Sequence, residues 1–183
     1  MQQRIVVLGN AGSGKSYFTK AIGTILDLRI IHLDDLFWEP SGYDQRRSSD
    51  FILASLDQIK AEHQWIAEGV YGELAERLLD RSELFIWIDL DWEVCRSSLF
   101  ERGSESSKGM DEEHSKLKLQ SLVDYASQYW SRSNSCSHSY HLGLFQKFQG
   151  QKMRFRSRSD VNAFLVNTHA AEQDSGGNGG QRS

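Results

Sequence analysis

A chain of 183 residues suits one domain with a full hydrophobic core. Its formal net charge of −4 argues against a strong general affinity for nucleic acid, and no apolar run is long enough to cross a membrane. The two cysteines, Cys95 and Cys136, lie far apart in sequence and suggest no disulfide framework. The sequence enters a strand-like segment almost at once, so a soluble cytoplasmic protein without a secretory leader is expected.

That first segment, Arg4 to Leu8, carries the β-branched apolar run of a buried strand. Gly9-Asn10-Ala11-Gly12-Ser13-Gly14-Lys15-Ser16 follows with the spacing G-x-x-x-x-G-K-S of a phosphate-binding loop (P-loop). Gly9, Gly12 and Gly14 admit turns that a Cβ would block, so successive N–H groups can point at phosphate oxygens. Lys15 brings a compact positive charge to the β- and γ-phosphates, and the Ser16 hydroxyl suits Mg²⁺. The next helix offers the positive end of its dipole to the anion. Residues 9–16 are thus the candidate ATP contacts, with Lys15 also catalytic and Ser16 also a metal ligand.

Phe18, Ala21, Ile22, Ile25 and Leu26 are spaced to form the apolar face of that helix. Arg29 to Leu33 reads as a short strand ending in Asp34-Asp35. Beyond Pro40 and Gly42, Ser48-Ser49-Asp50 starts a helix over Phe51 to His63, with Ile52, Leu56 and Ile59 inward. Trp65-Ile66-Ala67 is a brief strand ending in Glu68-Gly69. A helix over Glu73 to Asp80, a strand over Leu84 to Leu90 and a helix over Trp92 to Arg102 come next. A polar stretch near 103–115 reads as a short lid. Leu119, Leu122, Val123, Ala126 and Trp130 then mark an amphipathic helix.

Residues Ser131 to Gly150 show no clear period. Lys152 to Arg156 reads as the last strand and Asp160 to Val166 as the closing helix, with 169–183 a flexible tail beyond a single domain over 1–168. Strands alternating with helices predict an α/β fold. With the loop at 9–16 and five strand-like segments, a three-layer α/β/α P-loop NTPase with a five-stranded parallel sheet is expected. Ligands in such sheets lie at the carboxyl ends of the strands.

Acidic residues at those ends are therefore the ones that matter. Phosphoryl transfer needs one carboxylate to hold Mg²⁺, directly or through water, and often a second to orient an acceptor hydroxyl or take its proton. Glu68 suits the first task and Asp34 the second, whereas Asp35 and Asp89 read as helix caps. Arg77, Arg96 and Arg102 lie beyond strands three and four. Arg102 is the candidate catalytic cation and Arg77 an acceptor contact. Cys136, His138 and His141 lack zinc spacing and read as packing or surface residues.

Several segments also resemble one family. His32-Leu33-Asp34-Asp35-Leu36-Phe37-Trp38-Glu39-Pro40 is similar to its H-L-D-x-x-F-W-x-P motif, and Trp65-Ile66-Ala67-Glu68-Gly69-Val70-Tyr71 to its W-I-x-[DE]-G-x-Y motif. With the loop at 9–16 they resemble the adenylate-kinase-related P-loop proteins often labelled DNA topology modulation (FlaR-like) proteins. The resemblance covers about the first hundred residues well and the rest thinly. It implies the fold of nucleoside and nucleotide monophosphate kinases. It also implies that Glu68 interacts with Mg²⁺ through water, that Asp34 lies near the acceptor, and that Phe37, Trp38 and Tyr71 line the acceptor site. Gly69 is followed by Val70-Tyr71 without the Pro-Arg of true adenylate kinases, so AMP is not the expected acceptor.

The expected activity is transfer of the γ-phosphoryl group of ATP, with Mg²⁺, to a small acceptor such as a nucleoside, nucleotide or similar metabolite. The alternative is a nucleotide-binding regulatory protein linked to DNA topology. Neither a membrane nor nucleic acid is an expected partner, and the chain is expected to act as a monomer or homodimer.

Overall fold

The computed structural model describes residues 3–40, 45–106 and 112–176. Its five strands are β1 (Gln3–Gly9), β2 (Ile30–His32), β3 (Gln64–Gly69), β4 (Leu84–Ile88) and β5 (Gln151–Phe155). They form one sheet in the order β2-β3-β1-β4-β5, and every neighbouring pair is parallel. Ile5, Val6, Val7 and Leu8 are all buried because β1 lies at the centre of a sheet covered on both faces.

Alternation along the strands splits the apolar residues between two cores. Val6, Leu8, Trp65, Ala67, Phe85 and Trp87 face one side, under α3 (Ser49–Ala61), α4 (Gly72–Leu79) and α7 (His138–Lys147). Ile5, Val7, Ile66, Ile86 and Ile88 face the other, under α1 (Lys15–Ile25) and α8 (Arg158–Gly176). The short α2 (Leu33–Phe37) follows β2 directly. A small third core of Leu99, Val123 and Ala126 joins α5 (Trp92–Ser106) to α6 (Glu112–Ser127). This is the three-layer α/β fold read from the sequence. Among the described residues no helix is long and apolar enough to cross a membrane.

Four local features differ from the sequence reading. First, β2 stops at His32, and Asp34 and Asp35 lie in the first turn of α2, where negative charge meets the positive helix end. Second, helix covers much of the expected lid, since α5 runs to Ser106 and α6 begins at Glu112. Gly103 faces Leu119 so closely that a Cβ there would fall 2.6 Å from it, which zips the two helices together. The remaining lid residues, 107–111, lie outside the described residues.

Third, the segment 131–150 holds α7, whose N-cap Ser137 accepts a hydrogen bond from the Tyr140 N–H at 3.1 Å. Fourth, α8 starts at Arg158 and continues to Gly176 rather than ending near Val166. A capping box opens it: Ser157 Oγ accepts from the Asp160 N–H at 3.1 Å, and Asp160 Oδ2 accepts from the Ser157 N–H at 2.9 Å. Ala170, Ala171, Glu172 and Gln173, all good helix formers, extend it past the last packed residues.

Candidate active site

The chain leaves β1 through α1 on one face and β3 through α4 on the other. A crevice therefore opens at the carboxyl ends of adjacent strands, the place where such sheets bind ligands. The loop Gly9–Ser16 sits there. Gly12 and Gly14 have φ of +78° and +87°, the left-handed region that side chains disfavour. A Cβ on Gly12 would also fall 2.2 Å from the Cys95 carbonyl oxygen, so the loop lies directly on the first turns of α5.

Gly14 is the N-cap of α1 and gives no side-chain cap, which leaves the first-turn N–H groups for an anion. Ser13 Oγ is buried with no partner among the described residues. Both features fit nucleotide phosphate. Lys15 is nearly buried, and its Nζ donates to the Asn10 carbonyl at 2.8 Å. The Asn10 side chain turns away from the loop face: Nδ2 donates to the Ala126 carbonyl at 2.9 Å, and Oδ1 accepts from the Ala11 N–H at 2.8 Å. Asn10 therefore serves the loop through its backbone and its anchorage to α6.

The parallel register pairs Glu68 with Val7 on one side and His32 on the other. Glu68 is 3% exposed, and its Oε1 accepts two hydrogen bonds, from Ser16 Oγ at 2.9 Å and from His32 Nδ1 at 2.7 Å. Ser16 and Glu68 thus meet at the end of the phosphate loop. Among the described residues no three His, Cys, Asp or Glu side chains form a metal cage of their own. A hydroxyl beside one carboxylate instead suits Mg²⁺ held chiefly by phosphate oxygens and water.

Asp34 belongs to the same cluster. Burial pushes its carboxyl above the usual range and nearby Glu68 and Asp35 push it further, while Lys15 pulls it back. Beside it, Phe37 stacks on Tyr71 with ring centroids 4.3 Å apart, and Trp38 meets Phe37 edge-on at 4.8 Å. Trp38 Nε1 donates to the Tyr71 hydroxyl at 2.5 Å. Burial, reinforced by the charge of Asp34, pushes the Tyr71 phenol far up, so it stays protonated and its O–H remains a donor.

The two predicted arginines are both exposed. Arg77 is exposed on α4 and lines a groove of about 470 Å³ with Arg46, Ser49, Glu73 and Tyr140, whose walls include neither Asp34 nor Glu68. Arg102 lies on the exposed face of α5, just before the segment expected to be a lid. Asp89 is committed to structure, bound by Arg154 Nη2 at 2.5 Å and His138 Nε2 at 3.3 Å. Ser98 on α5 accepts a hydrogen bond from Arg158 Nη2 at 2.7 Å.

Sequence reading gave no role to two residues that shape the site. His32 was legible only as part of a motif; its partner Glu68 lies 36 positions away and is fixed by strand register. His141 on α7 is fully buried and bonds through Nε2 to the Val70 carbonyl at 3.0 Å, while Nδ1 meets the Tyr129 hydroxyl at 2.7 Å. Trp87 Nε1 donates to that hydroxyl at 3.1 Å. Burial lowers the His141 pKa to about 3, so the ring is neutral. A carbonyl only accepts, so Nε2 carries the proton and Nδ1 accepts from Tyr129. Each donor in the series Trp87, Tyr129, His141 thus has one acceptor, and the series ends on the Val70–Tyr71 turn.

No protein-family model matches the sequence, and no curated protein sequence matches it. Solved structures do. A gluconokinase from Sinorhizobium meliloti 1021 aligns over 93% of both chains at TM-score 0.53 and 14% identity. A shikimate kinase from Bacteroides thetaiotaomicron aligns over 93% of this chain and 98% of its own, at TM-score 0.53 and 14% identity. Another, from Acinetobacter baumannii in complex with shikimate, covers 93% of this chain and 95% of its own at TM-score 0.50 and 10% identity. At such identities the likeness shows the fold, and that fold is the one small-molecule P-loop kinases use.

Proposed function

We propose that this chain binds ATP on the Gly9–Ser16 loop and transfers its γ-phosphoryl group to a small acceptor held between α2 and the Val70–Tyr71 turn. The observation that supports this reading is the Ser16–Glu68 hydrogen bond at the end of the phosphate loop, with Asp34 near enough to feel the charges of both Lys15 and Glu68. Backbone N–H groups and Lys15 bind the phosphates. Ser16 and Glu68 would hold Mg²⁺, which would neutralise phosphate charge when bound. Asp34 orients the acceptor hydroxyl and takes its proton, and the Tyr71 O–H donates a hydrogen bond to the acceptor. The acceptor oxygen bonds to the γ-phosphorus, the bond to the β,γ-bridging oxygen breaks, and ADP leaves. Arg102 and Arg77 enter this reading as candidate charge-neutralising and acceptor contacts once the site closes.

The test is ADP release from MgATP across nucleosides, nucleoside monophosphates, sugars and hydroxy acids. At least one acceptor should speed release, and Lys15→Ala should abolish the gain. Asp34→Asn should slow the stimulated rate by ~10²–10⁴-fold while ATP affinity stays within about 3-fold. ADP release that no acceptor changes would overturn the reading.

A further inference from the structure

We propose that His32 is a positioning residue for Glu68: it fixes which carboxylate oxygen faces the divalent cation of a bound nucleotide. This inference rests on the reading of the site as one for MgATP. His32 ends β2 directly opposite Glu68 in the parallel register, so both side chains leave the sheet on the face that carries α1. Its Nδ1 lies 2.7 Å from Glu68 Oε1, and Ser16 Oγ lies 2.9 Å from the same oxygen.

The two contacts have consequences for the donors and acceptors left over. A carboxylate oxygen accepts, so the proton of this contact sits on Nδ1 of His32. The Ser16 hydroxyl spends its single proton on Oε1 as well, which leaves its oxygen lone pairs for a cation. With Oε1 taken twice, Oε2 is the oxygen left for a metal-bound water. Glutamate has one more rotatable bond than aspartate, and without His32 only the Ser16 contact would hold its carboxylate. The second contact, from His32 Nδ1, sets the plane of the carboxylate as well as its reach. Groups that hold a ligating side chain in this way commonly change metal affinity by 10–100-fold when lost.

His32 is also well placed to do this without binding the nucleotide itself. Its ring is held from the strand end on the far side of Glu68 from β1, and β1 is the strand that leads into the phosphate loop. Loss of His32 should therefore act through the metal and leave metal-free nucleotide binding alone.

The experiment is a calorimetric titration of ADP into the full chain, once with excess Mg²⁺ and once with EDTA. The ratio of the two dissociation constants is read for wild type, His32→Ala, His32→Gln and His32→Asn. The Asn amide overlays the Nδ1 position and can donate to Oε1; the Gln amide falls near Nε2 and cannot. His32→Ala and His32→Gln should lower the Mg²⁺-linked gain about 10-fold or more, with the EDTA value unchanged, and His32→Asn should keep it within about 3-fold. Should His32→Ala not fold, the Gln–Asn contrast still decides. In a Glu68→Ala background, His32→Ala should have no further effect. An unchanged gain in His32→Ala and His32→Gln, or an equal loss with and without Mg²⁺, overturns the inference. A wild type that binds no ADP under either condition overturns the reading of the site itself.

Discussion

At the scale of single residues, Gly12 shows how tightly the loop is specified. Its φ of +78° already costs a side chain about 1–2 kcal/mol, and a Cβ would meet the Cys95 carbonyl oxygen at 2.2 Å. Gly12→Ala should therefore lose ~2 kcal/mol or more and most nucleotide affinity, as read by a denaturant midpoint and a nucleotide titration. Gly143, on α7 with open space around it, is the contrast: Gly143→Ala should stabilise by about 0.5–1 kcal/mol. Equal effects at the two positions would mean that the clash at Gly12 relaxes away. The same scale explains what the sequence revealed best. Gly9 to Ser16 and Glu68 could be singled out because loop spacing and strand ends are local features, and Asp34 because it follows the end of β2 by two residues. His32 and His141 could not, because their partners come from strand register and from a turn more than seventy positions away.

Among the elements, α7 was the hardest to foresee and holds the acceptor side in place. Its sequence, HSYHLGLFQK, buries only His141 and Leu144, too little apolar pattern for a helix to announce itself. Tertiary contacts supply the rest: His141 grips Val70, Gly72 N–H donates to the Ser135 carbonyl at 3.0 Å, and Tyr140 O–H donates to Glu76 at 2.6 Å. His141 also gives this region a pH dependence. Folded, it protonates near about 3, against an ordinary value of 6.5. Between those values the unfolded chain binds more protons, so stability falls as pH drops from 6.5 towards 3. Each unit corresponds to roughly 1.4 kcal/mol, so the loss is of order several kcal/mol. His141→Asn lacks this titration. Urea midpoints at neutral and acidic pH should show the gap between wild type and variant closing as pH falls; a constant gap would place the acid sensitivity elsewhere.

For the molecule as a whole, the alternation of strand and helix announced a parallel sheet, and the sheet is there with β1 at its centre. The boundary of the packed body was less legible. Low apolar content after Asn167 suggested a flexible terminus, yet backbone propensity continues α8 to Gly176. Residues 169–173 are all exposed, so this last stretch of helix adds little to the core. Removal of residues 169–183 should change stability by no more than ~1 kcal/mol and leave nucleotide affinity intact, as thermal unfolding and titration would show. A large loss would mean that the helix end packs against something essential.

The contacts that seat the phosphate loop also decide how the molecule can move. Gly12 rests on the Cys95 carbonyl in the first turns of α5, and Asn10 holds the Ala126 carbonyl near the end of α6. Leu99 on α5 packs with Val123 and Ala126 on α6 between those two anchors. The paired helices thus behave as a beam clamped at its base to the loop. A swing that carried Arg102 over the crevice would have to bend beyond Leu99, because the base of the pair is held by the phosphate loop.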